Sequence, residues 1–252
     1  EAETGMYGII DENYEWICES EYSGIYKVWN GSTDNLVKVN EEYLLIAVYD
    51  FQEGHGAEII NEYGGTIVPM EYYDINAQCG MNRLIVENSE GYYGAIDLNG
   101  NLEIACQYDE LGDFSYDEET YAMKDGAVFA VDIYGNERFL TNADDCWQID
   151  SNLYEVGINE NWSVIDSNGE YLFSETYDNH EVNEKYIAGS NEENKNGILM
   201  LKSGEVVSTE YQKYMLSYKV PDIVKIYDGA NYGMLGSNGE LIVSCSYDSC
   251  EI

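Results

Sequence analysis

Basic residues are scarce in this chain: 11 Lys and Arg stand against 49 Asp and Glu, a formal net charge of −38 over 252 residues. Nucleic acids and anionic bilayer surfaces are bound chiefly through Lys and Arg on phosphates, so this balance argues against both as partners. Histidine is also rare, with only His55 and His180, far apart in sequence. Six cysteines, Cys18, Cys79, Cys106, Cys146, Cys245 and Cys250, show no C-x-x-C spacing, so a zinc site is not expected. No apolar run approaches the roughly 20 residues needed to cross a bilayer as a helix, and membrane insertion is not expected. Two prolines and no Ser/Gly-rich linker leave nothing to divide the chain. No phosphate-binding glycine loop, nucleotide fingerprint or nucleophile–histidine motif is found, which counts against those enzyme classes.

What the chain has is repetition. Turn signatures end at Tyr14, Gly65, Gly100, Gly135, Gly169, Gly204 and Gly239, the last six being 34 or 35 residues apart. In the clearest copy, Tyr93-Gly94-Ala95-Ile96-Asp97 leads through Asn99-Gly100 to Leu102-Glu103-Ile104-Ala105-Cys106 and Tyr108-Asp109. Two apolar runs flanking Asn-Gly read as an antiparallel hairpin, since that pair supplies positive φ angles. A second ruler runs from each turn residue to a tyrosine. It is eight residues at Tyr22, Tyr73, Tyr108, Tyr177 and Tyr247, and seven at Tyr211. The fourth copy departs, with Phe129 in the glycine position and Ala143-Asp144 closing it.

The aromatic-Gly pair, the aspartate, the turn glycine and the closing Tyr-Asp resemble the bacterial WG-repeat family over residues 5 to 250. The second copy adds Ile67-Val68-Pro69 before Tyr73-Asp74. The resemblance implies a bacterial repeat scaffold and brings no catalytic residues.

A fixed period means modules that bury their apolar faces only by stacking on neighbours. The expectation is therefore one tandem-repeat domain spanning 1–252, of about seven repeats of 35 residues. Its first and last repeats are partial, and an insertion lies at 23–42. Further strand candidates, Leu44–Val48, Leu84–Val86 and Ile223–Tyr227 before the hairpins and Gly24–Trp29 and Tyr214–Tyr218 after them, give each unit four strands. The fold class is all-β. Seven such units fit a β-propeller; an open superhelical β-solenoid is the alternative.

Asp-x-Asn-Gly, at 97–100 and 166–169, is hairpin chemistry and lacks the twelve-residue span of a calcium loop, although so acidic a surface can hold adventitious calcium. No cofactor is expected. The tyrosine columns read as inter-repeat packing, each phenol reaching a backbone partner. Cys106 and Cys245 share a column and read as small buried residues with inert thiols; one or two disulfides are the alternative. Acidic clusters such as Glu41-Glu42, Asp117-Glu118-Glu119 and Glu192-Glu193 lie between hairpins. Aromatics outside the columns, Tyr26, Trp29, Tyr116 and Trp147, are the candidate binding residues. The functional expectation is a noncatalytic recognition or scaffold protein with an acidic, aromatic-rich surface for a protein partner. The alternative is a carbohydrate-binding or glycoside-cleaving surface protein with paired carboxylates, for which Asp50, Glu53 and His55 are the first suspects. Acidity, tyrosine abundance and an opening Glu1-Ala2-Glu3-Thr4 point to an extracytoplasmic or cell-surface location.

Overall fold

The computed structural model describes residues 5–31, 33, 35–51, 54–159, 161–172, 177, 179–191 and 195–251. Glu53, Asp178 and the Glu192-Glu193 pair lie outside the described residues, as does the side chain of Asp50. The described chain is all-β, with no helix. It forms two compact units, Glu1–Asn142 and Ala143–Ile252.

In the first unit, strands Tyr7–Ile10 and Trp16–Tyr22 make a two-stranded first sheet. The second sheet runs Gly24–Lys27, Glu42–Phe51, Gly54–Asn61 and Thr66–Tyr72. The third runs Asp74–Gly80, Arg83–Glu87, Tyr93–Asp97 and Leu102–Tyr108, and the fourth Glu110–Leu111, Glu119–Lys124, Ala127–Asp132 and Glu137–Asn142. The insertion connects the first two strands of the second sheet. Its Trp29–Asn30 adds in parallel to the edge of the third sheet, and Lys38–Val39 pairs with Glu42–Tyr43.

In the second unit, Asp145–Asp150, Leu153–Ile158 and Asn161–Asp166 form the fifth sheet, with bridges to Tyr171 and Tyr177 where a fourth strand belongs. The sixth is Asn179–Val182, Tyr186–Asn191, Asn196–Leu201 and Val206–Ser208. The seventh is Lys213–Met215, Val224–Tyr227, Tyr232–Leu235 and Leu241–Tyr247. The up-and-down four-stranded antiparallel unit expected from sequence is the unit of propeller blades.

All seven signature turns share one geometry. In the third sheet the Asp97 N–H donates to Asn101 O (2.9 Å) and the Gly100 N–H to Asp97 O (3.1 Å); the equivalent pairs recur from Asp11 to Gly236. Only the residue three places after the first turn position, which is Asp11, Asn61 or Asp97 in the first three copies, has positive φ: Tyr14 (65°), Gly64 (76°), Gly100 (87°) and their counterparts. This is the three-residue loop with a left-handed closing residue, not the two-residue turn with two positive φ angles that Asn-Gly suggests. In the second copy the turn residue is Gly64, so the sequence register at Gly65 is one residue late.

The tyrosine column shifts with it. Tyr72, not Tyr73, pairs across the hairpin with Ala57, as Tyr108 pairs with Tyr93 and Tyr22 with Tyr7. Tyr22, Tyr108 and Tyr177 are buried, Tyr72 and Tyr211 half-buried, and Tyr73 is 44% exposed. Tyr247 is 53% exposed. Two phenols of the column reach carboxylates where backbone was expected: Tyr22 Oη donates to Glu58 Oε1 (2.8 Å) and Tyr108 Oη to Glu137 Oε1 (2.6 Å).

The glycine after the aromatic has a steric reason. A Cβ on Gly94 would stand 2.5 Å from Ile104 O, because the strand opposite bulges across it; Gly8 and Gly233 meet the same backbone at 2.6 and 2.5 Å. With Phe129 in this place, the fourth copy has Phe129 paired in register with Phe139 and one register shift fewer.

Core clusters lie between consecutive sheets. Leu44, Ile46 and Ile59 of the second sheet meet Leu84, Val86 and Ile96 of the third. Ile85, Ala95 and Tyr108 on the third sheet's other face meet Leu111, Phe114 and Ala122 of the fourth. Leu45, Ala47 and Ile60 take Tyr22 of the first sheet. In the second unit Leu153 and Val164 pack on Ile187 and Met200, and Ala188 and Leu199 on Tyr214 and Val224.

Three outcomes follow from this packing. Tyr108→Ala should destabilise by about 3–5 kcal/mol, the scale for a large buried ring, while exposed Glu118→Ala should change stability little. Tyr72→Ala should lower the urea midpoint more than Tyr73→Ala; the reverse order would restore the late register. The turn carboxylates set an acid limit. The Glu15 backbone N–H holds Asp11 below its ordinary 3.8. Burial pushes Asp97 up, but bonds from Asn101 and Asn99 outweigh it and leave Asp97 lowered. A folded pKa below the unfolded one contributes stability above about 3.8 that disappears as pH falls further. Tm should therefore drop below about pH 4, and Asp97→Asn should flatten that drop.

Candidate functional site

An open cleft of about 890 Å3 lies within the first unit. The first strands of three consecutive sheets border it: Tyr26 from the second, Tyr73 to Ala77 leading into the third, and Asp109 to Leu111 leading into the fourth. Each segment directly follows a tyrosine column, so the hairpin register fixes what faces the opening. The second strands of the second and third sheets supply apolar lining through Ile46, Val48, Ile85 and Val86.

Two things shape its chemistry. Rings line it, with exposed Tyr26, half-buried Tyr93, and His55 against Tyr73 at 4.3 Å between ring centroids and 37° between planes. Carboxylates line it as well, from Asp74, Glu87, Asp109 and Glu110, and among the described residues neither Lys nor Arg does.

Several of these acids are held in place. Glu110 Oε1 accepts Tyr121 Oη at 2.5 Å, Asp74 Oδ1 accepts the Ile75 N–H at 2.9 Å, and Asp109 Oδ2 accepts the Asp125 N–H at 2.8 Å. The last contact explains the aspartate of Tyr-Asp: it caps the positive-φ residue joining the second and third strands of its sheet, as Asp144 Oδ2 does for the Asn159 N–H at 2.8 Å. In the third sheet that turn is capped by its own Asn88, whose Oδ1 accepts the Glu90 and Tyr92 N–H groups. Tyr73 therefore stands where Asp109 stands in the next copy, its N–H donating to Glu87 O as the Asp109 N–H does to Met123 O. The electrostatic result is visible at Tyr93. Burial raises its phenol pKa first, then the charge of Glu87 and its hydrogen bond, then Asp74 and Glu110.

Of the residues singled out in sequence, Tyr26 is in the cleft. Trp29 is half-buried on the insertion strand, paired with Gln78, whose Nε2 donates to Ser115 Oγ at 2.7 Å and also reaches Asp113. Gln78 thus ties the insertion to the loop that carries exposed Tyr116. Trp147 is exposed on the first strand of the fifth sheet, in the second unit. Of the catalytic suspects, His55 lines the cleft. Tyr73, Tyr93, Asp74 and Asp109 belong to the repeat pattern read from the sequence and Glu87 and Glu110 lie just outside it, so none of the six stands out there as a site residue. The signal that could have found the place is the doubled Tyr72-Tyr73, unique among the copies.

Among the described residues no cluster of three or more His, Cys, Asp or Glu could hold a metal. The Asp-x-Asn-Gly carboxylates serve their own turns: Asp97 Oδ1 accepts the Asn99 and Asn101 N–H groups, each at 2.8 Å, and Asp166 Oδ1 those of Asn168 and Glu170.

Residues 93–124 match the family described as WG containing repeat. No curated protein matches the sequence. Among solved structures the chain is similar to BamB from Moraxella catarrhalis, at 12% identity over 98% of this chain and 89% of that one, with a TM-score of 0.40. It is also similar to the WD40 β-propeller domain of Doa1 (9% identity, 75% and 73% covered, TM-score 0.36). A third is PorZ of the Porphyromonas gingivalis type-IX secretion system (10%, 89% and 34%, 0.34). Likenesses of this size carry no argument about partner or activity.

The field in the cleft can be read directly. Tyr93 should ionise above ordinary tyrosine, and Glu87→Gln should bring its transition down toward the usual value near 10, since it removes both a charge and an acceptor. Site-resolved NMR of labelled tyrosine checks this; an unmoved Tyr93 would mean that Glu87 does not act on it.

Proposed function

We propose that this protein is a noncatalytic WG-repeat recognition protein of the bacterial cell surface, and that the cleft of its first unit receives a Lys- or Arg-bearing segment of a protein partner. The observation that carries this reading is the lining: tyrosine rings with His55, an apolar base and four carboxylates, with no Lys or Arg among the described residues. A basic side chain has an aliphatic stem that suits Ile46, Val48 and Val86, and a cationic head attracted both by carboxylates and by ring faces. A cleft of about 890 Å3 suits a chain segment better than a single small ion. A noncatalytic role is supported by the use of Asp109 and Glu110 as acceptors for groups of the fold itself. The insertion and Tyr116 offer a second set of aromatic contacts bordering the same unit.

The test is binding of Lys/Arg-rich, neutral and acidic peptide libraries, alongside a glycan array. Basic peptides should bind, and their affinity should fall steeply with salt, because exposed charges more than about 8 Å apart are screened at physiological ionic strength. Asp74→Asn and Glu87→Gln should each weaken binding by roughly fivefold, the scale of about 1 kcal/mol for a partly exposed ion pair. Tyr73→Ala should weaken it also, and Trp29→Ala measures how far the insertion contributes. Glycan binding unaffected by the two carboxylate variants would replace this reading with the carbohydrate one.

A further inference from the structure

Gly233 lies in the third strand of the seventh sheet, in the bulge between the Tyr232–Tyr247 and Met234–Val243 pairs. Two sulfurs converge on it. Cys245 Sγ stands 2.9 Å from where a Cβ on Gly233 would be, and Cys250 Sγ lies 3.8 Å from Gly233 O, so the chain beyond Tyr247 folds back over the bulge. Both thiols are reduced and half-buried, where the sequence reading had Cys245 buried and inert. Burial, then Asp228 and then Cys250, raise the Cys245 pKa.

Cys250 also has a place in a cavity. With Glu251 it lines a cleft of about 560 Å3 whose remaining lining is Met215 to Lys219 and Lys225. The C-terminal segment is thus one wall of that cleft, and what holds the segment holds the wall.

We propose that Cys245 and Cys250 are a modification site that closes to an intramolecular disulfide by exchange with a small disulfide such as oxidised glutathione, fixing the C-terminal segment over Gly233. One thiolate attacks a sulfur of the small disulfide, forming a mixed disulfide and expelling the first small thiol. The second cysteine, held at the same glycine, attacks the protein-bound sulfur and expels the other. Two protein thiols are oxidised, one small disulfide is reduced, and both protons leave on the released thiols. Proximity makes the second step faster than capture by another small molecule. An internal control exists in the same repeat column: the place of Cys245 is taken by Cys106 in the third copy, and Leu111 stands where a second thiol would be needed.

Oxidised glutathione is added to the intact protein, the mixture is acid-quenched and alkylated, and the chain is cleaved before Asp248 for mass spectrometry. The expected result is a reductant-sensitive pair of fragments joined through Cys245 and Cys250, with Cys106 found only alkylated or glutathionylated. Cys250→Ser should leave glutathione on Cys245. Recovery of Cys245 and Cys250 as separate adducts or alkylated thiols, or a link running between two chains, would overturn the proposal. In the linked protein, amide exchange from Tyr247 to Glu251 should slow; unchanged exchange would refute the fixing of the wall.

Discussion

A strand buried on both faces needs an apolar surface packed on each side, and the third sheet shows how stacked repeats supply it. In the third sheet Leu84 and Val86 face the second sheet while Ile85 faces the fourth, and all three are buried. Such a strand reads as an unbroken apolar run because it has no solvent side to alternate with. The second strand of the seventh sheet differs. Val224 and Ile226 are buried while Lys225 and Tyr227 are not, the alternation of a strand with one better-covered face. Sheet-on-sheet burial is thus what each repeat provides for the next. Within a sheet a separate constraint acts: Gly94, Gly8 and Gly233 sit where the bulged partner strand leaves no room for a Cβ.

Much of this could be read from the sequence, because turns and bulges depend on single residues with few substitutes. A left-handed closing residue calls for glycine and a self-capping turn calls for aspartate or asparagine, so period and hairpin were legible. The second copy shows where such reading fails. Gly65 to Tyr73 and Gly64 to Tyr72 are both eight residues, so a spacing ruler slipped by one residue fits as well as the true one. Only backbone dihedrals and pairing separate them, and the slip exchanged a packing tyrosine for an exposed one.

The cleft was illegible for a different reason. Its walls come from Tyr26, from 73 to 77 and from 109 to 111, equivalent positions of successive repeats that meet only once the sheets stack. Within one copy, Asp109 is explained by the turn it caps and Glu110 by the Tyr121 phenol, so neither asks for a further role. Function in a repeat scaffold lies in departures from the common pattern. Tyr73 is such a departure, permitted because Asn88 caps the third sheet's turn without help.

Charge points the same way. The few cations are largely engaged within their own units: Arg83 with Glu103, Arg138 with Glu119, Lys185 with Asp222 and Lys202 with Asp150. Others lie over rings, Lys38 on Tyr43, Lys124 on Tyr108 and Lys225 on Tyr232. Many acids are similarly engaged at turns, but acids outnumber cations more than fourfold, so internal pairing leaves most carboxylates without a basic partner. Exposed on a convex surface they face water of high dielectric and attract little. In a cleft with apolar and aromatic walls the same charges are screened less, and their fields add at one place. Burial raises the Tyr93 phenol first, and Glu87, Asp74 and Glu110 add to that rise. A ligand that brings positive charge there would relieve a repulsion already built into the folded chain, which is the physical ground for proposing a basic segment rather than a neutral one.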